Sequence, residues 1–262
     1  MTAARAQRPA GRAAQRAARA QAPARPSSED ALVWHELECG SYRADLGLWL
    51  ELTAACSGPV LDVGAGSGRV AGALASAGAE VIALDRDPVL LHALSARWPG
   101  VRTVVADARK FSLSHDVGLV LVPMQTIQLL GGRPGRSALL TGLRTHLRPG
   151  GLLACAVADE LEAYGPGARL PAPDTIVRGD VIYESQPVAL RARPDAWELE
   201  RLRSVRPAQG PARSERDLVC LDRVSADDLR AEGEAHGLHG LDHRHIPPTG
   251  EHAGSTVVVW RG

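Results

Sequence analysis

The sequence predicts an α/β fold in which a doubly wound, mostly parallel sheet is covered by helices on both faces. Between residues 59 and 158, short runs of almost continuously apolar residues alternate with segments of helical spacing. Strands that are apolar on both faces are typical of a parallel sheet buried between two layers of helices. The length of 262 residues is sufficient for one domain with a full hydrophobic core. No run of about 18 apolar residues occurs, so a membrane span is not expected.

Five strands of this sheet are predicted from the apolar runs and from the turn signals beside them. They are residues 59–63, 80–85, 101–107, 116–123 and 152–158. A helix of small residues, "AGALASAG", follows the first strand and suits close packing on a sheet. The helix after the second strand begins with Asp87 as its cap and Pro88 at its first position. The helix before the fifth strand places leucines on one face and ends at "RPGG".

The chain on either side of these strands has a different pattern. Residues 29–56 form a predicted helical segment, whose second helix runs from about residue 41 to 55. Residues 165–222 contain three or four short strands with turns, so we expect a small antiparallel β insertion there. A helix capped by Ser225 follows, and two strands, "HRHIPP" and "STVVVWR", then pair around a six-residue loop.

Residues 1–28 form a tail that is rich in arginine and alanine and contains no acidic residue. Because the tail lacks large apolar residues after Met1, it cannot bury a core and is predicted to be disordered. A targeting segment or a nucleic-acid-binding arm remains an alternative. The formal net charge of the whole chain is zero, so the rest of the chain carries a negative balance. That balance does not favour a polyphosphate backbone, and nucleic acid is not an expected partner.

The cysteines and histidines give little indication of a metal centre. The four cysteines are scattered without C-x-x-C spacing, which favours free thiols in a reducing compartment. We therefore expect a cytoplasmic protein. Four late histidines, at 236–245, have the spacing H-x2-H-x3-H-x-H, but they straddle a helix end and a strand. No metal is predicted.

The stretch "VLDVGAGSGRVA" places a glycine at every second position from 64 to 68, directly after the first strand. Glycine at this density lets the backbone turn sharply and lets a ligand approach closely. A P-loop is excluded, because Arg69 stands where that motif requires lysine. A relaxed dinucleotide motif, G-x-G-x-x-A over residues 66–71, remains open. Asp62, inside the first strand, favours a ligand with a cationic end over a pyrophosphate.

Five segments follow one another over roughly residues 57–160, namely "LDVGAGSG", "VIALDRDP", "VVADA", "DVGLVLVP" and "RPGG". Their order and spacing resemble the class I S-adenosylmethionine-dependent methyltransferases. The resemblance implies a Rossmann-like, seven-stranded sheet with an antiparallel C-terminal strand, in a methyltransferase domain of residues 57–262. It also implies S-adenosyl-L-methionine as the cofactor.

The same resemblance implies a role for each motif residue. Asp62 would orient the methionyl ammonium group, and Asp85 would hold both ribose hydroxyls of the cofactor. Asp107 would accept from the adenine amino group, and the amide of Ala108 would meet a ring nitrogen. The other implied cofactor contacts are Gly64, Ala65, Gly66, Gly68, Arg86 and Val122. As alternatives, Asp62 only caps the glycine loop and Asp107 only caps a following helix.

The acceptor is predicted from the end of the fourth strand and from the insertion. The tetrad "VPMQ" differs from the Asn/Asp-Pro-Pro-aromatic tetrad of enzymes that methylate base amino groups. We therefore expect a small-molecule acceptor and N- or O-methyl transfer by in-line displacement. The predicted acceptor contacts are Gln125, Tyr183, Trp197 and Arg201, with Gln128 as an alternative to Gln125. A buried core of the insertion explains Trp197 equally well.

His252, in the loop before the last strand, is the predicted catalytic base, because histidine titrates near neutral pH. Tyr42 and Arg43 are expected near the methionine end of the cofactor. Two alternative functions remain: a methyltransferase that docks RNA or protein through the basic tail, and a scaffold that binds the cofactor without catalysis. The sequence does not indicate an oligomeric state.

Overall fold

The computed structural model describes residues 28–250 and 252–262, which form two β-sheets with helices around them. The predicted disordered tail therefore lies outside the described residues, except for its last residue, Ser28. Within the described part of the chain, no helix is long and apolar enough to cross a membrane.

The elements alternate along the chain as the apolar pattern predicts. The helices are α1 (Ser28–Cys39), α2 (Leu46–Ala54), α3 (Arg69–Ser76), α4 (Pro88–Arg97), α5 (Gly132–His146) and α6 (Ala226–Ala235), with a 3-10 turn at Thr126–Leu129. The strands are β1 (Val60–Val63), β2 (Val81–Asp85), β3 (Arg102–Val105), β4 (Val117–Val122), β5 (Leu147–Val157), β6 (Asp174–Arg178), β7 (Val181–Ala192), β8 (Ala196–Pro207), β9 (Arg213–Asp222), β10 (His239–Gly240), β11 (Arg244–Ile246) and β12 (Ser255–Arg261).

The main sheet has eight strands in the order β10-β12-β5-β4-β1-β2-β3, with β11 also paired to β12. Strands β1 to β5 pair in parallel, whereas β12 pairs antiparallel with β5, β10 and β11. This arrangement confirms the doubly wound sheet with an antiparallel C-terminal strand. The strand beyond the predicted seven is β10, which is two residues long and too short to produce a sequence pattern. The strand order reverses between β1 and β4, and ligands of such sheets bind at the carboxyl ends beside that point.

Each face of the main sheet carries its own hydrophobic layer. Leu61 of β1 packs into a layer that contains Leu139 of α5. Its neighbour Val60 faces the other way, into a layer that contains Trp49 of α2 and Leu74 of α3. Because neighbouring residues of a strand point to opposite faces, β1 must be apolar at every position except where a polar group has a purpose. The exception is Asp62.

Strands β6 to β9 form a second, antiparallel sheet, here named the insertion sheet, in the order β6-β7-β8-β9. It confirms the predicted antiparallel insertion, whose strands begin at Asp174 rather than near residue 165. Trp34 and Leu37 of α1 pack with Val205 of β8 on one of its faces. Helix α1 therefore connects the insertion sheet to the rest of the protein.

Two helix caps are found where the sequence predicts them, whereas one helix begins later than predicted. Asp87 accepts a hydrogen bond from the backbone N–H of Val89, and Ser225 accepts one from that of Asp228. The second helix, predicted from about residue 41, begins only at Leu46. The side chain of Asp45, its N-cap residue, is instead held by tertiary contacts that the local pattern does not contain. Helix α5 ends at His146, and β5 runs through the "RPGG" segment that was expected to precede it.

Candidate functional site

The loop between β1 and α3 has a backbone that only glycine adopts readily. Gly64, Gly66 and Gly68 have φ angles of 74°, 55° and 94°, which lie in the left-handed region. A Cβ on Gly64 would lie 2.6 Å from Thr126 Cγ2, and a Cβ on Gly66 would overlap the imidazole of His35. The loop is therefore enclosed by the turn after β4 on one side and by helix α1 on another.

Asp85 ends β2, and its carboxylate holds the glycine loop. Its Oδ2 accepts from the backbone N–H of Gly66 at 2.8 Å, and its Oδ1 accepts from that of Asp87 at 2.9 Å. A carboxylate has about four lone-pair sites, so both oxygens retain capacity for hydroxyl donors. The half-buried side chain thus suits a diol beside the loop. Of the neighbouring predicted contacts, Ala65 is buried and Arg86 is exposed.

Asp62 is a buried carboxylate with one oxygen bonded and one oxygen free. Its Oδ2 accepts from the backbone N–H of Ala71 at 3.0 Å and so caps helix α3. Its Oδ1 is buried and has no hydrogen-bond partner among the described residues. Burial raises the pKa of Asp62 to about 7, against the opposing effect of Arg69. A buried acceptor without a donor is costly, and a ligand with a cationic donor would satisfy it.

Arg69, the first residue of α3, joins the glycine loop to the N-terminal segment. Its guanidinium donates to the Asp45 carboxylate at 2.5 and 2.7 Å and to the carbonyl oxygen of Tyr42 at 3.1 Å. The Tyr42 ring lies 5.2 Å from the Arg69 guanidinium and 4.7 Å from the imidazole of His252. Arg43 is exposed and donates to the Tyr42 carbonyl at 2.9 Å. The predicted base His252 therefore lies in one cluster with Tyr42, beside the start of α3.

His35 is a site residue that the sequence analysis missed. Its Nδ1 forms a 3.2 Å hydrogen bond with the hydroxyl of Ser67 in the glycine loop. Burial lowers the pKa of His35 below its usual value, and the negative charges of Asp85 and Glu38 act in the opposite direction. No motif marks this histidine, because it lies on a helix outside the sheet and reaches the loop only through tertiary packing.

Asp107 follows β3 and begins a turn. The backbone N–H of Lys110 donates to the Asp107 carbonyl at 2.8 Å, and the Arg109 guanidinium donates to its carboxylate at 2.6 Å. This contact with Arg109 lowers the pKa of Asp107 to about 2. The alternative that Asp107 caps a following helix is wrong, because the described chain continues from this turn to β4 without a helix. Ala108 is half-buried against the main core, and the adenine contacts of both residues stay predictions.

The chain leaves β4 through a strained turn at the carboxyl edge of the sheet. Val122 is the buried last residue of β4. Met124 has a φ of 53°, which among the described non-glycine residues is the only positive value. Positive φ in a bulky residue is strain of the kind that is concentrated at functional sites. Gln125 follows directly, half-buried at the start of the 3-10 turn.

Gln128, the alternative to Gln125, has a structural role. Its side-chain amide donates to the carbonyl oxygens of Ala158 at 3.1 Å and Asp222 at 3.0 Å, and its Oε1 accepts from the N–H of Ala158 at 2.9 Å. The side chain is 1% exposed. With these bonds made, Gln128 ties the end of β5 to the end of β9 and is not available to a ligand.

Both aromatic candidates of the insertion sheet take part in packing. The Tyr183 ring contacts Trp34 of α1 edge-on, with 5.4 Å between the ring centroids. Trp197 is buried with Leu190 and Leu221 in a cluster at the other end of the sheet. These contacts account for the burial of both side chains, and their contact with an acceptor stays a prediction.

The late histidines do not converge. His236 contacts the hydroxyl of Ser137 on α5 at 3.0 Å, and His243 contacts Asp227 at 3.3 Å. His239 lies in β10. Among the described residues, no group of three or more histidine, cysteine or acidic side chains is placed to hold a metal ion.

Comparison with known proteins finds a methyltransferase domain in this chain. Residues 60–151 match the family described as "Methyltransferase domain". A cypemycin N-terminal methyltransferase from a Streptomyces species is 34% identical over 114 residues. That alignment covers 42% of this chain and 46% of the relative, so the chain matches about half the length of this curated protein.

Solved structures extend the likeness to almost the whole chain. DesVI from Streptomyces venezuelae has a TM-score of 0.66 at 18% identity and covers 88% of this chain and 97% of its own. CalS10 from Micromonospora echinaspora, an amino pentose methyltransferase, has a TM-score of 0.62 at 20% identity, with 100% of both chains covered. At these identities the structures share the fold. Residues 60–151, which include the glycine loop and Asp85, match the methyltransferase domain family.

Proposed function

We propose that this protein is an S-adenosylmethionine-dependent methyltransferase that acts on a small-molecule acceptor. The observation that carries the proposal is the buried, unsatisfied Oδ1 of Asp62, beside a loop of three left-handed glycines. A dinucleotide would bring a pyrophosphate to this loop, and the charge of Asp62 would oppose it. The ammonium group of a methionyl ligand would instead complete the hydrogen bonding of Asp62.

The side chains around the loop fit the cofactor. In this proposal Asp62 binds the ammonium group through its unpartnered Oδ1, and Asp85 binds the ribose hydroxyls with its remaining lone pairs. When bound, S-adenosylmethionine supplies an electrophilic methyl group. The predicted contacts of Arg86, Asp107, Ala108 and Val122 belong to the same proposal.

The task of the chain is to place the acceptor in line with the methyl group and to exclude water. Positioning of this kind can contribute about 7–11 kcal/mol. Helix α1 contacts the glycine loop through His35, the rings of Tyr42 and His252 pack together beside Arg69, and the strained turn with Met124 follows β4. We assign the proton acceptor to His252, because its imidazole contacts Tyr42 beside Arg69 and is half-buried.

Nitrogen is the acceptor atom that the comparisons favour. The curated relative is named an N-terminal methyltransferase, one structural neighbour an amino pentose methyltransferase, and another, KedS8 from Streptoalloteichus, a sugar N-methyltransferase. We therefore propose transfer to the amine of a small molecule. The cysteines are free thiols in the described structure, which supports a cytoplasmic location.

Calorimetric titration with S-adenosylmethionine, and with NAD as a control, tests the proposal. We expect micromolar binding of S-adenosylmethionine and none of NAD. The Asp85→Ala change should weaken S-adenosylmethionine binding at least about tenfold, because hydrogen bonds to a charged group contribute roughly 1.5–3 kcal/mol. Asp116→Ala is the matched control, since Asp116 is an exposed acid before β4. Binding of NAD instead, or unchanged affinity in a folded Asp85→Ala protein, would contradict the assignment.

A further inference from the structure

The insertion sheet has a polar band across the middle of the face that packs on α1. At one end of this face, Tyr183 and Val205 pack on Trp34, and at the other end Leu190 and Trp197 pack together. The polar band lies between these two apolar clusters and consists of Asp174, Ser185, Arg201, Arg203 and Asp217, with Glu38 of α1 facing it. Burying charged side chains on an inner face costs free energy unless they form ion pairs or hydrogen bonds, with the protein or with a ligand.

Arg203 is fully engaged within the protein. Its Nε and Nη2 donate to the two carboxylate oxygens of Glu38 at 2.7 and 2.8 Å, and its Nη1 lies 3.0 Å from Asp217. Ser185, which is fully buried, also donates to Glu38 at 2.7 Å. Every nitrogen of the Arg203 guanidinium thus has a partner within the protein, and this part of the polar band fixes α1 to the sheet.

Arg201, two residues away on the same face, is not fully engaged. Only its Nη1 is bonded, to the Ser185 hydroxyl at 3.1 Å and weakly to Asp174 at 3.4 Å. Its Nε and Nη2 have no hydrogen-bond partner in the described part of the chain. The Arg201 side chain is 15% exposed, and that of Asp174 is 31% exposed. The guanidinium of this largely buried side chain therefore has two nitrogens that can donate to a ligand.

The backbone opposite Arg201 is irregular. Strand β7 shifts register between Pro187, which pairs with Arg201, and Ala189, which pairs with Glu200. The residue between them is extra, and Pro187 has no N–H to donate. Such irregularities re-aim side chains and are over-represented beside active sites. The sheet is therefore distorted at the position of the incompletely paired arginine.

The charges of both Arg201 and Arg69 act on Cys39, at the end of α1. The thiol of Cys39, at the end of α1, is mostly buried, and burial raises its pKa to about 11. The positive charges of both Arg201 and Arg69 act on this thiol in the opposite direction. Cys39 thus lies within reach of Arg201 on the insertion sheet and of Arg69 at the start of α3, and the acceptor would lie in this region.

We propose that Arg201 and Asp174 form the acceptor subsite, and that it takes an α-aminoacyl group, either a free amino acid or the N-terminus of a peptide. The inference rests on the proposed methyltransferase function. Nε and Nη2 of Arg201 donate to the carbonyl or carboxylate oxygen, and Asp174 accepts from the adjacent amine. In an α-aminoacyl group, a planar oxygen acceptor lies next to a nitrogen donor. This pair of groups matches the Arg201 cation and the Asp174 anion, which lie side by side. An amino sugar offers hydroxyl groups, for which a guanidinium fork has no particular fit.

In this subsite the amine of the acceptor attacks the methyl group of the cofactor. The lone pair of the amine forms the new N–C bond while the S–C bond breaks, and its electron pair returns to sulfur. The proton that the nitrogen sheds goes to the His252 imidazole. Arg201 and Asp174 stay unchanged, so they bind and orient the acceptor.

The test is binding and methylation of defined amines by the full chain. The probes are alanine, trialanine, 2-aminopropane, which lacks the carbonyl oxygen, and 3-amino-3-deoxyglucose. Calorimetry in the presence of S-adenosylhomocysteine gives the acceptor Kd, and mass spectrometry detects the methylated product. We expect alanine or trialanine to bind and to be methylated, with the better of the two identifying the source. We expect 2-aminopropane to bind at least about tenfold more weakly.

Variants of β8 separate this role from a structural one. Arg201→Gln should raise the Kd of the alanyl probe at least about tenfold and leave the Kd of S-adenosylmethionine within about twofold. Arg201→Lys keeps the charge but loses the planar fork, so it should give an intermediate loss in a fully folded protein. Arg206→Gln is the matched control, because Arg206 lies on the opposite, exposed face of β8 and pairs with Glu184.

Four results would contradict the acceptor subsite or the proposed function. If neither alanyl probe binds, or if Arg201→Gln and Arg201→Lys bind the alanyl probe as tightly as the wild type, the subsite is wrong. Preference for the amino sugar over both alanyl probes would also overturn it, although the methyltransferase function would stand. Binding of S-adenosylmethionine to the wild type is measured separately. Its absence would refute the proposed function itself.

Discussion

The buried carboxylate of Asp62 should make cofactor binding depend on pH. Burial raises its pKa to about 7, so at neutral pH the carboxyl group is protonated in about half of the molecules. Only the ionised form can pair with the ammonium group of S-adenosylmethionine. Since the group gains a proton as the pH falls, the affinity for the cofactor should fall with it.

The expected magnitude follows from this pKa. With an ionised fraction of about one half at pH 7 and about one tenth at pH 6, the observed Kd should rise roughly fivefold between these two values. Below pH 6 the rise should approach about tenfold per pH unit. The useful range ends near pH 7, because an α-amino group such as that of the ligand loses its own proton at about pH 8.

Isothermal titration calorimetry from pH 5.5 to 7 measures this dependence directly. Asp62→Asn keeps an oxygen for the Ala71 N–H but cannot ionise, so its Kd should be high and independent of pH. His35 also faces the loop and titrates below its usual pKa. His35→Gln is therefore the control, and it should retain the pH dependence. A constant Kd in the wild type, or a pH-dependent Kd in Asp62→Asn, would refute the reasoning.

Two further changes test the loop and the base. Gly66→Ala introduces a Cβ that overlaps His35 at a φ of 55°, whereas Gly150→Ala meets no atom within 4 Å at a φ of 75°. Both changes should cost roughly 1–2 kcal/mol of backbone strain, but only Gly66→Ala should also lose cofactor binding. Equal affinity of the two variants would contradict the enclosure of the loop by α1. His252→Ala should lower kcat about 10²-fold and leave the cofactor Kd within about twofold. A lowered affinity at unchanged kcat would instead mean that His252 only supports Tyr42.

The strands of the main sheet were predictable because their signal is local. The apolar run predicted for the second strand, residues 80–85, is found as β2 (Val81–Asp85). Strands β1, β2 and β4 are buried on both faces, so their sequences must be apolar at nearly every position, and turns interrupt that pattern. The edge strand β3 is mostly exposed, and its signal is correspondingly weaker. The start of α2 was not predictable in this way. It is set by Asp45, whose carboxylate is held by Arg69 and by the indole N–H of Trp49.

The site was predictable only where a motif carries it. The glycine loop, Asp62 and Asp85 lie next to one another in a pattern that the sequence shows directly. His35 comes from a helix outside the motifs, and its partner Ser67 is distant in the chain. Arg201 was a candidate from the sequence, but its incomplete pairing depends on Asp174 and Ser185 of other strands and could not be predicted. Gln128 illustrates the converse, since it stands at a plausible position for an acceptor contact, yet its amide is fully used within the fold.

The methyltransferase domain match begins at residue 60, but helix α1, which precedes it, belongs to the functional unit. His35 bonds the glycine loop, and Glu38, three residues later, bonds Arg203 of the insertion sheet. Side chains three positions apart lie on one face of a helix. One turn of α1 therefore contacts the cofactor loop and the proposed acceptor sheet at the same time. A shift of this turn that opens the loop also breaks the contact with the insertion sheet, so we expect the cofactor site and the acceptor site to form together.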